Sequence, residues 1–128
     1  MRFMEQAKEA KHNKSKMSTA EEKICNIFKN FEENYWGKKS HQIETYLIRD
    51  IIVLRSQGNL SPAEEQLART EEGKVLIKQL KVKELSSIKN ILKFHLENKL
   101  NLQVLSLVID NNPELDETII VCRLNKEL

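Results

Sequence analysis

The sequence predicts an α+β domain in which a helix and a β-hairpin occur twice, giving an antiparallel four-stranded sheet packed with helices. Three observations lead there. Apolar residues recur at helical spacing over 24–35 and again over 77–96, the pattern of helices that bury one side. After each stretch come two short segments rich in Ile, Leu and Val, separated by turn-forming residues, which reads as a hairpin. Capping signatures stand in front of the helical stretches.

The first element begins in Ser18-Thr19-Ala20-Glu21-Glu22, where two capping boxes overlap, Ser18 with Glu21 or Thr19 with Glu22. In either, the hydroxyl accepts from an otherwise orphaned backbone N–H and the Glu reaches back. Ile24, Ile27, Phe28, Phe31 and Tyr35 then form one helical stripe, and Gly37 supplies a left-handed residue to end it. From Gln42 the period changes. Ile43–Ile48 and Ile51–Ser56 read as strands about a tight Arg49-Asp50 turn, although arginine is not a preferred residue at positive φ. Both strands are apolar on both faces, with Ile51 and Val53 on one and Ile52 and Leu54 on the other. Each face therefore wants a cover, and the helices of one such chain cover only one easily.

Gln57-Gly58-Asn59 closes this hairpin, and Ser61-Pro62-Ala63-Glu64 opens a short helix running to about Arg69. There Ser caps, Pro takes the position where its missing N–H is harmless, and Glu completes the box. Thr70 caps a long helix over about 71–99, with Glu71 and Glu72 where the helix dipole favours negative charge. Gly73 in its first turn is expected to permit close packing. The long helix shows two stripes, Ile77, Leu80, Ile88, Ile91 and His95 on one, Val82, Leu85, Leu92 and Leu96 on the other. One is expected on the sheet, and the other against the first helix or a second copy of the chain. Val82, Leu85, Leu92 and Leu96, with Ile52 and Leu54, are thus the candidate dimer interface. Asn101 is the expected left-handed C-cap. Leu102–Ile109 and Glu117–Asn125 read as two more strands around the turn Asn111–Asp116. Ile51–Arg55 matches Ile119–Arg123 at an offset of 68, and Gly37 matches Asn101 at 64. Helix, strand, strand occurring twice points to a pseudo-twofold architecture.

With 128 residues, 40% hydrophobic and 31% charged, the chain is expected to be one domain, residues 18–128, that needs no metal or disulfide to fold. Residues 1–17 are expected to be a disordered basic tail. The formal charge of +2 is too small to imply a polyanionic partner. No run of about 18 apolar residues exists to span a membrane, and residues 1–18 are too polar for a signal segment, so the expected location is the cytoplasm. Cys25 and Cys122 lie far apart without ligand-spaced neighbours and read as small buried hydrophobes.

Catalytic patterns are missing. The pairs Glu21-Glu22, Glu32-Glu33, Glu64-Glu65 and Glu71-Glu72 stand at helix starts or on polar faces, where capping and solvation explain them. His12, His41 and His95 lack the i, i+4 partner of a helical zinc site. No Gly-rich phosphate loop exists, and no catalytic, cofactor or metal residues are assigned. A basic ridge of Lys74, Lys78 and Lys81 recurs at i, i+4 and i+7. It reads first as the solvated side of the helix. With the tail and the group Trp36, Lys38 and Lys39 it makes nucleic-acid binding the alternative. A small-ligand sensor or enzyme is the third reading.

The run Tyr46–Arg55, followed by Gly58-Asn59-Leu60-Ser61-Pro62-Ala63-Glu64-Glu65-Gln66-Leu67-Ala68-Arg69-Thr70-Glu71-Glu72-Gly73, resembles the MpsC-like family. The likeness covers about residues 18–126 and includes Ser106-Leu107 and Asp110. Three positions depart from the pattern: Arg49 and Asn101 stand where glycine is usual, and Lys81 where arginine is. The family takes its name from a Na+-translocating, membrane-potential-generating system with links to inorganic-carbon supply. The resemblance implies a soluble accessory or regulatory component of such a system, with transporter subunits as partners. It brings no catalytic residues.

Overall fold

The computed structural model describes residues 17–36, 40, 42–58 and 60–128. The expected basic tail, except Met17, lies outside the described residues, as do Gly37, Lys38, Lys39, His41 and Asn59. Helix α1 (Thr19–Phe31) uses the first of the two capping boxes: Ser18 Oγ accepts from the Glu21 N–H, and Glu21 Oε1 accepts from the Ser18 N–H. Its Ile24, Ile27, Phe28 and Phe31 are buried. The chain then widens into a π-helical segment, Glu32–Trp36.

Strands β1 (Gln42–Ile48) and β2 (Ile51–Gln57) pair antiparallel with Ile48 opposite Ile51, so Arg49-Asp50 is a two-residue turn. Arg49 takes φ of 56°, the left-handed conformation its position in a tight hairpin demands. Helix α2 (Pro62–Leu67) starts from a Ser61–Glu64 capping box, and α3 (Glu71–Leu100) from Thr70, whose Oγ1 accepts from the Gly73 N–H. A Cβ on Gly73 would lie 1.6 Å from the Leu67 carbonyl oxygen, so the glycine is what lets α2 end against α3. Asn101 ends α3 at φ 53°, ψ 54°, the left-handed C-cap expected.

Strands β3 (Val104–Asn112) and β4 (Glu117–Leu124) complete the antiparallel sheet in the order β1-β2-β4-β3. The loop between them is Pro113–Asp116, shorter than the expected six residues. Asn111 stays in the ladder because its Nδ2 donates to Thr118 Oγ1 and to the Glu117 carbonyl. Asn112 Oδ1 accepts from the Glu114 and Leu115 N–H groups and starts the turn.

The repeat has a geometric meaning. Ile51–Arg55 pairs with Ile119–Arg123, Val53 standing opposite Val121, so the like segments run antiparallel about a local twofold between those valines. The β1–β2 hairpin and the β4–β3 hairpin lie on either side of it; α1 packs on β1 and α3 on β3. Helices α1 and α3 share one face of the sheet, and Ile52, Leu54, Leu107, Ile120, Cys122 and Leu124 point into that core.

Two sequence expectations fail here. The long helix has one buried stripe, Gly73, Ile77, Lys81, Leu85, Leu92, Leu96 and Leu100, with Ile88 half-buried on the same line. Leu80 and Ile91 are exposed. Residues four apart form a ridge inclined to the helix axis, and α3 lays that one ridge across the twisted sheet. Consequently Leu85, Leu92, Leu96, Ile52 and Leu54, expected at a dimer interface, are core residues of a single protomer, and Val82 is half-buried beside them.

Candidate functional site

Side chains alternate across a strand, so whatever does not face the helices lies on the other side of the sheet. Among the described residues no helix lies over that side. Registers place Tyr46, Val53, Val121 and Val108 in one row across all four strands. Ile48 and Ile51 lie in the row on one side, and Ile119 in the row on the other. Several are well exposed: Val108 61%, Ile48 58%, Tyr46 and Val121 37%. Contiguous apolar surface of this kind marks contact sites rather than ordinary surface.

Most charged residues on this face have a partner. Glu44 is buried and accepts from Tyr46 Oη, Arg55 Nη2 and Gln42 Nε2, each at 2.6 Å. Burial, and then the bond to Glu44, pushes the Tyr46 hydroxyl pKa up; the same carboxylate raises that of Arg55. Arg123 Nε lies 3.9 Å from Asp50 Oδ2, and Asp110 Oδ1 3.6 Å from Lys78 Nζ. The face is apolar at its centre, with both signs of charge about it.

The expected basic ridge does not form. Lys81 is fully buried beneath α2, with Nζ 3.3 Å from Glu64 Oε2. Lys74 bridges Glu71 and Glu114, and Lys78 faces Asp110. A line of lysines each beside a carboxylate is a neutralised surface. The Trp36, Lys38 and Lys39 group cannot be joined to it, because Lys38 and Lys39 lie outside the described residues.

Three hollows stand out among the described residues. Two, of about 450 and 350 Å³, flank the Lys74–Glu114 bridge and are lined with carboxylates. The third, of about 140 Å³, lies between α1, the π-helical segment and the C-terminal end of α3. Among the described residues no three His, Cys, Asp or Glu side chains group as a metal site. Cys25 and Cys122 are buried and unpaired; burial pushes the Cys122 thiol up to about 12 and the Cys25 thiol up as well, away from the thiolate that reactive cysteines need.

The model of the family described as "Na+-translocating membrane potential-generating system (MpsC)" matches residues 16–126. This chain belongs to the MpsC family. Its MpsC region takes in every described helix and strand. Among curated proteins, an uncharacterized protein of Bacillus subtilis, YbcI, is 32% identical over 66 residues, 52% of this chain. The match spans about half, 53%, of that relative's own length. No solved structure matches. The MpsC resemblance now has a structural sense at its departures. Arg49 and Asn101 are both left-handed, and Lys81 is buried in an ion pair with Glu64. No helix among the described residues is long and apolar enough to cross a membrane.

Sequence reasoning found that the strands were apolar on both faces and missed which surface this leaves open. The signal was there: Ile51 and Val53 alternate with Ile52 and Leu54, and one of the two sets had to face away from the helices.

Proposed function

We propose that this chain is a non-enzymatic accessory component of a Na+-translocating, membrane-potential-generating system, and that it works as a homodimer joined through the open sheet face. Family membership supports the link to that system, and the uncovered face carries the dimer reading. A second copy suits this face better than a polyanion. Its centre is apolar, and its charges are of both signs, most of them paired, so it offers no positive field to attract a polyanion. A twofold contact requires a surface that complements itself, and a neutral apolar row with mixed charges around it does so. In this arrangement the helices point outward on both protomers and remain available to the membrane partners.

Sedimentation of the purified chain tests the dimer. The native protein is expected to sediment as a dimer at micromolar concentration, and Val108→Lys and Val121→Lys as folded monomers. A native monomer at that concentration would remove this part of the proposal. The role is tested in a bacterium lacking the gene, with a voltage-sensitive dye in sodium and in potassium medium. Loss of the sodium-dependent potential, restored by the native gene, is expected. An unchanged potential in the deletion strain would remove the functional assignment while leaving the dimer intact.

A further inference from the structure

α1 and α3 meet at one end of the core, and the chain departs from regular helix there. Over Glu32–Trp36 the backbone is π-helical, a rare form that occurs mostly as single turns, often at functional sites. Buried Glu32 holds it, accepting from Ser40 Oγ at 2.5 Å and from the Ser40 N–H at 3.3 Å. The wider turn moves Tyr35 from its α-helical place to one where its Oη lies 3.2 Å from His95 Nε2. The Tyr35 and His95 rings stand 5.2 Å apart.

Beneath this pair is the cavity of about 140 Å³, room for about five groups the size of water at roughly 30 Å³ each. Ile27 and Phe31 give it an apolar side. Its polar lining is Asn30, Asn34, Tyr35, His95 and Lys99. Among the described residues of that lining, Lys99 is the one permanently charged side chain and none is a carboxylate, in contrast to the two larger hollows. Amide groups can donate beside the ammonium. With the proton on Nε2, His95 donates to the Tyr35 oxygen and leaves the tyrosine O–H available to a ligand acceptor. An apolar wall with a few convergent polar groups is the usual make-up of a small-molecule site.

We infer that this cavity binds a small monocarboxylate, its hydrocarbon end on Ile27 and Phe31 and its carboxylate beside Lys99, Asn30 and Asn34. One cation balances one negative charge, and neutral donors complete the shell of a planar carboxylate. The site is independent of the open sheet face, on the far side of the sheet.

Sodium butyrate is the probe, titrated into the full-length chain against sodium chloride at equal ionic strength. The ring-proton NMR resonance of His95 is the readout, with the other two histidines as internal references. A saturable shift of His95 that chloride does not produce is expected. Lys99→Met, at an exposed position, should weaken it about tenfold, as loss of one charge-assisted hydrogen bond would. Absence of saturation into the millimolar range, or equal binding by Lys99→Met, would overturn the assignment. Inorganic phosphate binding as well as butyrate would overturn it too, since the apolar wall would then play no part.

Discussion

A lysine ammonium taken out of water loses several kcal/mol of hydration, and Lys81 keeps none of its surface exposed. Glu64 compensates it, and does so while also capping α2, because its Oε1 accepts from the Ser61 N–H at 2.9 Å. One carboxylate thus serves the helix end and the buried cation together. Removing the cation leaves a largely buried carboxylate without it, so Lys81→Met is expected to lower the unfolding free energy by about 3 kcal/mol. Urea denaturation measures this. Adding Glu64→Gln to Lys81→Met should restore much of the loss, and Lys81→Arg, which keeps the charge and adds a second donor edge, should stay near the native value. Nothing in the local sequence announces this residue. Lys74, Lys78 and Lys81 share one spacing, and only the position of α2 over the helix separates the buried one from the other two. Because a charge stands in the middle of the apolar ridge, that ridge reads in the sequence as two broken stripes.

At the level of elements, α2 is held in an unusual way. None of its side chains is fully buried. Its fixings are the Glu64–Lys81 pair, the acceptance of the Leu60 N–H by the Asp116 carboxylate at 3.2 and 3.3 Å, and the approach of the Leu67 carbonyl to Gly73. Helix propensity alone says that Gly73→Ala gains about 1 kcal/mol. The carbonyl only 1.6 Å from the new methyl carbon says otherwise, since backbone cannot turn aside as a flexible side chain does. The substitution is expected to cost about 2 kcal/mol net, with faster amide hydrogen exchange in α2 than in α1. The capping boxes, the Asn101 cap and the close-packing role of Gly73 were all legible beforehand, because each depends on a few adjacent residues. The end of β3 was not. Asn111 and Asn112 are turn formers by type, and what keeps them in the ladder is a bond to Thr118 on another strand.

For the molecule as a whole, the two like hairpins meet at its centre, β2 against β4, so each half contributes only two strands to a sheet of four. A two-stranded unit is marginal in water. The chain is therefore expected to unfold in a single step, with the same midpoint by circular dichroism and calorimetry and equal calorimetric and van't Hoff enthalpies. Two separate transitions would show the halves to be independent. The sequence revealed the repeat through Ile51–Arg55 and Ile119–Arg123, but which way the two copies face each other depends on the register between distant strands. The same central pairing sets an order of events during synthesis. β2 leaves the ribosome with β1 already beside it, but its other neighbour follows only after all of α3 has been made. Until then β2 presents an unsatisfied edge of backbone donors and acceptors to its surroundings. On a polysome those surroundings include other nascent copies with the same edge, so slow translation through the long helix would favour pairing between chains over pairing within one.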